Sequence, residues 1–127
     1  GAPVAMGATA AWLYGLGEIG PSPYEFCMPE RKQTKRPNFV LRKRSLDPED
    51  VSIVAGIPTA KPARTVVDLI DCGEDLSLIA NVLSDALGRG LVDNEGALRE
   101  SVDRRGPKCG MPKGTSIYDA LARRRGA

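Results

Sequence analysis

Seven basic residues, Arg31, Lys32, Lys35, Arg36, Arg42, Lys43 and Arg44, crowd into positions 29–44 against the single acid Glu30. A block of one sign attracts phosphates or an acidic protein surface. Lysine and arginine in such a block bind nucleic acid by charge, without reading sequence. The other reading of the same residues is a solvated basic hairpin. Phe39 is the only aromatic residue interleaved with them, so stacking of bases is poorly supported. No helix-turn-helix pattern can be identified for sequence-specific reading. Elsewhere the chemistry is mostly missing. The chain has no histidine, which removes Ser–His and Cys–His nucleophiles and imidazole metal ligands. Cys27, Cys72 and Cys109 are far apart and lack zinc-ligand spacing, so they read as reduced, buried or incidental thiols. Gly15-Leu16-Gly17 does not follow a strand as a phosphate-binding fingerprint must. Asp47, Glu49 and Asp50 could hold a hard cation, or simply form a solvated turn. No catalytic residue, metal or cofactor is expected, and the chain does not read as an enzyme.

The elements that must position these residues sit in 127 residues, the size of one domain with a modest core. Apolar residues make up 42% and aromatics 5%, globular usage that is lean in large core side chains. No apolar run reaches membrane-spanning length and no signal-peptide pattern is present, so no membrane contact and a cytoplasmic location are expected. The net charge of +2 conceals segregation: residues 1–28 carry no Lys or Arg, 45–95 are acidic on balance, and the tail is basic again. The opening Gly1-Ala2-Pro3 without an initiator methionine suits a piece of a longer or tagged chain.

Met6 to Leu16 reads as a short helix ended by Gly15 and Gly17, with Trp12, Leu13 and Leu16 on one face. Trp12 is assigned to the core, a hot spot for a partner being its other reading. Tyr24 to Met28 and Asn38 to Arg44 read as strands joined by the basic loop, in a hairpin or a wider antiparallel connection. Ser52 to Thr59 reads as one further strand, begun at Val51 and stopped by Pro58 and Pro62. Pro62 then opens a helix whose Ala63, Val66, Val67 and Ile70 form the buried stripe, with Gly73 after its end. Asp75 caps the next helix, carrying Leu76, Ile79, Ala80, Leu83 and Leu87 inward. Asp93 caps a shorter one, and Ser116 with Asp119 has capping-box spacing for the last. Gly106 to Gly114 is a Pro/Gly loop. The order predicts an α+β fold, a small antiparallel or mixed sheet packed with four to five helices.

Gly56 to Cys72, GIPTAKPARTVVDLIDC, organises the chain. Within it Arg64 and Asp68 lie four apart, either as an exposed helix pair or as a buried clamp of helix to sheet. Gly-apolar-Pro, then Pro62-Ala63-Arg64-Thr65, two apolar residues and Asp68-Leu69 resembles the AbiEi-type antitoxins of abortive-infection toxin–antitoxin systems. Thr9 to Leu16 is similar to the family's Ser-Ala-Leu-apolar-Leu-X-Gly-Leu helix, and Asp85 to Val92 to its Asp-Ala-Leu-X-X-Gly-Leu segment. Ala60-Lys61 stands where the family often has Thr-Ser, so the helix lacks that cap. The resemblance runs from about Ala5 to Leu98 and marks Pro62, Arg64, Thr65 and Asp68 as structural residues. It implies a single domain corresponding to the family's C-terminal part, the usual N-terminal winged helix-turn-helix lying outside this sequence. It further implies an antitoxin that neutralises a nucleotidyltransferase-like toxin and contacts operator DNA in repressing its own operon. Some relatives add a restriction-endonuclease-like domain, but no strand-borne Asp with Glu-X-Lys is present here. The alternative is a transcriptional regulator acting through the basic hairpin, with no toxin partner.

Overall fold

The computed structural model describes residues 2–30, 33–106, 110 and 112–124. Five strands form one mixed sheet in the order β3-β2-β1-β5-β4: β1 Val4–Ala5, β2 Tyr24–Met28, β3 Phe39–Lys43, β4 Val51–Val54 and β5 Ile57–Ala60. With helices α1 Gly7–Tyr14, α2 Pro62–Asp71, α3 Leu76–Gly88, α4 Glu95–Asp103 and α5 Ile117–Arg124, the fold is α+β, as the element order predicts. The centre of the sheet is its shortest strand. β1 pairs antiparallel with β2, Val4 opposite Cys27 and Ala5 opposite Phe26, and parallel with β5, Ala5 opposite Thr59.

Two expectations about strands fail. β2 and β3 run parallel, with Tyr24 opposite Phe39 and Met28 opposite Lys43, so the basic segment is not a hairpin tip. The chain over residues 29–38 is long enough to return along β2 and start β3 in the same direction. Ser52 to Thr59 is likewise not one strand. Ala55 and Gly56 take φ of 50° and 78°, the two positive values of a tight hairpin turn, and fold β5 back on β4 with Ile53 opposite Pro58. Pro58 therefore lies inside β5 rather than ending it. Pro62 does open α2, buried at its first turn.

α1 packs against β2 and β5 on one side and α2 on the other; α3 and α4 pack on α2, and α5 closes against both. The wedge position explains the composition of α1, whose Gly7, Ala8, Thr9, Ala10 and Ala11 are all buried. Small side chains let sheet and helix approach closely. Trp12 is 48% exposed, so it is not core.

Surrounded in this way, α2 has almost no free face: Thr65, Val66, Val67, Asp68, Leu69 and Ile70 are all buried. Its end uses Gly73, at φ 74°, whose N–H donates to the carbonyl of Ile70 while that of Glu74 donates to Leu69. Asp75 caps α3, accepting from the Ser77 and Leu78 N–H groups at 2.7 and 3.3 Å. α4 is capped by Asn94, one residue later than expected, which accepts from Ala97 N–H. Before α5, Ser116 Oγ accepts from Asp119 N–H and donates to Asp103. The Pro/Gly loop expected at Gly106 to Gly114 falls largely outside the described residues.

Candidate functional site

The PART segment of α2 builds a buried charge centre. Asp68 has no exposed side-chain surface, and its Oδ1 accepts from Arg64 Nε at 3.0 Å and Arg44 Nη1 at 3.1 Å. Arg64 comes from the preceding turn of the same helix; Arg44 follows the last residue of β3. The carboxylate therefore ties helix to sheet, and the exposed-pair reading of Arg64 and Asp68 does not hold. Oδ2 is buried without a hydrogen-bond partner. Burial pushes the Asp68 carboxyl above the usual aspartate range, although Arg64 and then Arg44 pull it down. Cys27, a buried free thiol close by, is also pushed up by burial and further by the Asp68 charge. Thr65, wholly buried, donates from Oγ1 to the Ala60 carbonyl at 3.2 Å and fastens α2 to the end of β5. The helix start at Lys61 has no side-chain cap, as the Ala60-Lys61 departure predicts.

The other two family-like segments meet each other. Gly17 N–H donates to Asp85 Oδ2 at 2.6 Å, and Arg89 Nη1 donates to the Tyr14 carbonyl at 2.7 Å. Gly17 has φ 63°, and a Cβ there would stand 2.9 Å from Val82 Cγ2, so only glycine lets the chain lie this close to α3. The Asp-Ala-Leu-X-X-Gly-Leu segment thus grips the end of α1, with Ala86 fully buried between its two polar contacts. Farther along, Arg105 holds Asp71 through two bonds of 2.8 and 3.2 Å, joining the end of α4 to the end of α2. Nothing in the spacing of these pairs announces them.

The basic set is not one surface. Arg31 and Lys32 lie outside the described residues. Lys35 and Arg36 are exposed in the loop after β2, and Lys43 is exposed at the end of β3. Arg42 is held by Glu25 at 2.9 Å and Arg44 by Asp68, both on the side of the sheet facing α2. Strand alternation sends Tyr24 and Phe26 to the face opposite Glu25 and Cys27, and their parallel partners Phe39 and Leu41 with them. There Tyr24 stacks on Phe39 with centroids 5.1 Å apart, Phe39 lies 6.1 Å from Phe26, and Trp12 meets Tyr24 edge-on at 6.0 Å. Beside this strip lies an open apolar groove of about 370 Å³ that includes Phe26, Phe39, Leu41, Ile57 and Arg36. The parallel register assembles the strip; without it only Phe39 stands near the basic residues.

A second groove, about 660 Å³, runs between α2 and α4 and mixes charges, with Asp50 and Asp93 against Lys61, Arg64, Arg104 and Arg105. Among the described residues no group of three or more His, Cys, Asp or Glu could hold a metal ion, and no helix is long and apolar enough to cross a membrane.

Comparison with curated proteins and with solved structures gives no match. A family model described as the AbiEi antitoxin C-terminal domain matches residues 3–105. That span takes in the sheet, the Arg44–Asp68–Arg64 centre and the α1–α3 contact. Through this C-terminal domain, the chain belongs to the AbiEi antitoxin family.

Proposed function

We propose that the domain is the antitoxin of a bacterial toxin–antitoxin pair and neutralises a nucleotidyltransferase-like toxin in the cytoplasm. The family match over residues 3–105 carries this reading. In this reading the chain has a regulatory, non-catalytic role, with recognition as its chemistry. In the same reading the domain contributes to operator contact through Lys35, Arg36 and Lys43, the cations of the basic set that are exposed and make no ion pair among the described residues. Arg42 and Arg44 are assigned no such role, because each already neutralises a carboxylate.

The test is co-expression of this chain with the product of a neighbouring nucleotidyltransferase gene, scoring growth and co-purification together. Rescue of growth with co-purification supports a stoichiometric antitoxin; rescue alone supports an indirect mode. Failure to restore growth refutes the antitoxin role for this domain. Operator retention, measured separately, should fall when Lys35, Arg36 and Lys43 are all replaced by Gln and should fall less on replacing Arg42. Equal losses would remove the exposed cations from the reading.

A further inference from the structure

The face of β2 and β3 turned away from α2 carries both phenylalanines and one of the three tyrosines of the chain, and Trp12, from α1, meets that tyrosine edge-on. Trp12 is 48% exposed, and Tyr24, Phe26 and Phe39 are only partly buried. The four rings form a continuous strip, and an apolar groove lies along one flank. Cations border the strip. Arg36 lines the groove beside Phe26 and Phe39. Lys43 falls on the same face of β3 as Phe39 and Leu41, four residues and about 13 Å along the strand. Neither cation has an ion-pair partner among the described residues, in contrast to Arg42 and Arg44 on the opposite face.

We propose that this strip is a binding site for single-stranded nucleic acid, with bases stacked on Trp12 and on the outward face of the Tyr24–Phe39 stack and phosphates held by Arg36 and Lys43. The chemistry selects that occupant. Ring faces beside unpaired cations suit a polyanion whose own flat faces are free. A duplex keeps its bases stacked inside and could use only the cations. An apolar peptide would use the groove and leave the cations idle. The site does not depend on the toxin partner; it shares Arg36 and Lys43 with the proposed operator contact, and the rings, which a duplex cannot use, separate the two.

The test is titration of the intact chain, at about 50 mM salt, with fluorescein-labelled strands of about twelve nucleotides: oligo-dT, oligo-rU, an abasic strand of equal charge, and a duplex. Fluorescence anisotropy should give tighter binding to the single strands than to the abasic strand or the duplex, and unlabelled single strands should quench Trp12 emission. The ratio of dT to rU affinity assigns the sugar preference. Trp12→Ala, at an exposed position, should retain the wild-type melting profile and weaken single-strand binding about tenfold, while Trp12→Phe restores part of it. Arg36→Gln with Lys43→Gln should flatten the log–log salt dependence by about 1.4, the loss of two phosphate contacts on a single strand. Absence of single-strand binding overturns the proposal. So does equal affinity for the abasic strand or the duplex, or unchanged binding by Trp12→Ala.

Discussion

The buried Asp68 centre allows a sharp test, because two guanidinium groups share one carboxylate oxygen. Replacing Arg64 by Ala removes the 3.0 Å bond and leaves Arg44 at 3.1 Å; replacing Arg44 does the reverse. Each single variant still has a cation on Oδ1, and each arginine is 29% exposed and already partly hydrated. The expected loss is about 1–1.5 kcal/mol apiece, near the lower end for a hydrogen bond to a charged group. The double variant differs in kind. Asp68 then has no compensating charge, no exposed surface and an Oδ2 that is already unpartnered. An uncompensated buried charge costs about 3–5 kcal/mol. The double loss should therefore exceed the sum of the singles by about 1–2 kcal/mol.

The sign of the pH dependence follows. The folded-state pKa of Asp68 is raised by burial, so folding favours the protonated carboxyl, and its contribution is most favourable in acid and declines as pH rises through that raised value. Removing both arginines takes away the two influences that lower it, lifting it further. The excess loss should then be smallest in acid, grow as pH passes the wild-type value, and level off above the higher value of the variant. Urea unfolding of all four proteins from pH 4 to pH 8 measures this. Additive losses within about 0.5 kcal/mol, or an excess that does not shrink in acid, would refute the reasoning.

Three further outcomes are expected. Gly17→Ala should lose about 1–3 kcal/mol in denaturant melts, since a Cβ meets Val82 Cγ2 at 2.9 Å and φ is 63°. Asp75→Ala should lose about 0.5–2 kcal/mol by leaving the Ser77 and Leu78 N–H groups uncapped, whereas Asp75→Asn should recover most of that in the same melts. Arg99→Ala should change the melting temperature hardly at all, because its pair with Asp119 is nearly half exposed on both sides; a clear drop would show that its ring contact with Tyr118 matters more than the ion pair.

The helical half of the fold was legible because its signals are local. Pro62, Gly73, Asp75 and the Ser116–Asp119 pair each act within one turn of the chain. The sheet was not, for two reasons. β1 has two residues, too few for any alternation to register, yet it fixes the strand order. The loop over residues 29–38 is compatible with an antiparallel or a parallel return, and only contacts from the rest of the sheet decide between them. The same gap hid the aromatic strip, since Tyr24 and Phe39 become neighbours through register and Trp12 joins them through the packing of α1 on β2. Asp68 was ambiguous because a four-residue spacing to Arg64 says nothing about α1, α3 and α4 covering the helix. Arg44, the second partner, is remote in sequence and carried no sign of its role.

The brevity of β1 also bears on how the domain comes apart. Among the described residues Val4 and Ala5 are the seam between the β3–β2 pair and the β5–β4 pair, and Ala5 faces Thr59, a residue remote from it in the sequence. Each outer pair can form from residues near one another, but the seam closes only after distant segments have met. Amide protons across the seam should therefore exchange with solvent in one cooperative opening, while the Val51–Ala60 hairpin keeps its protection separately.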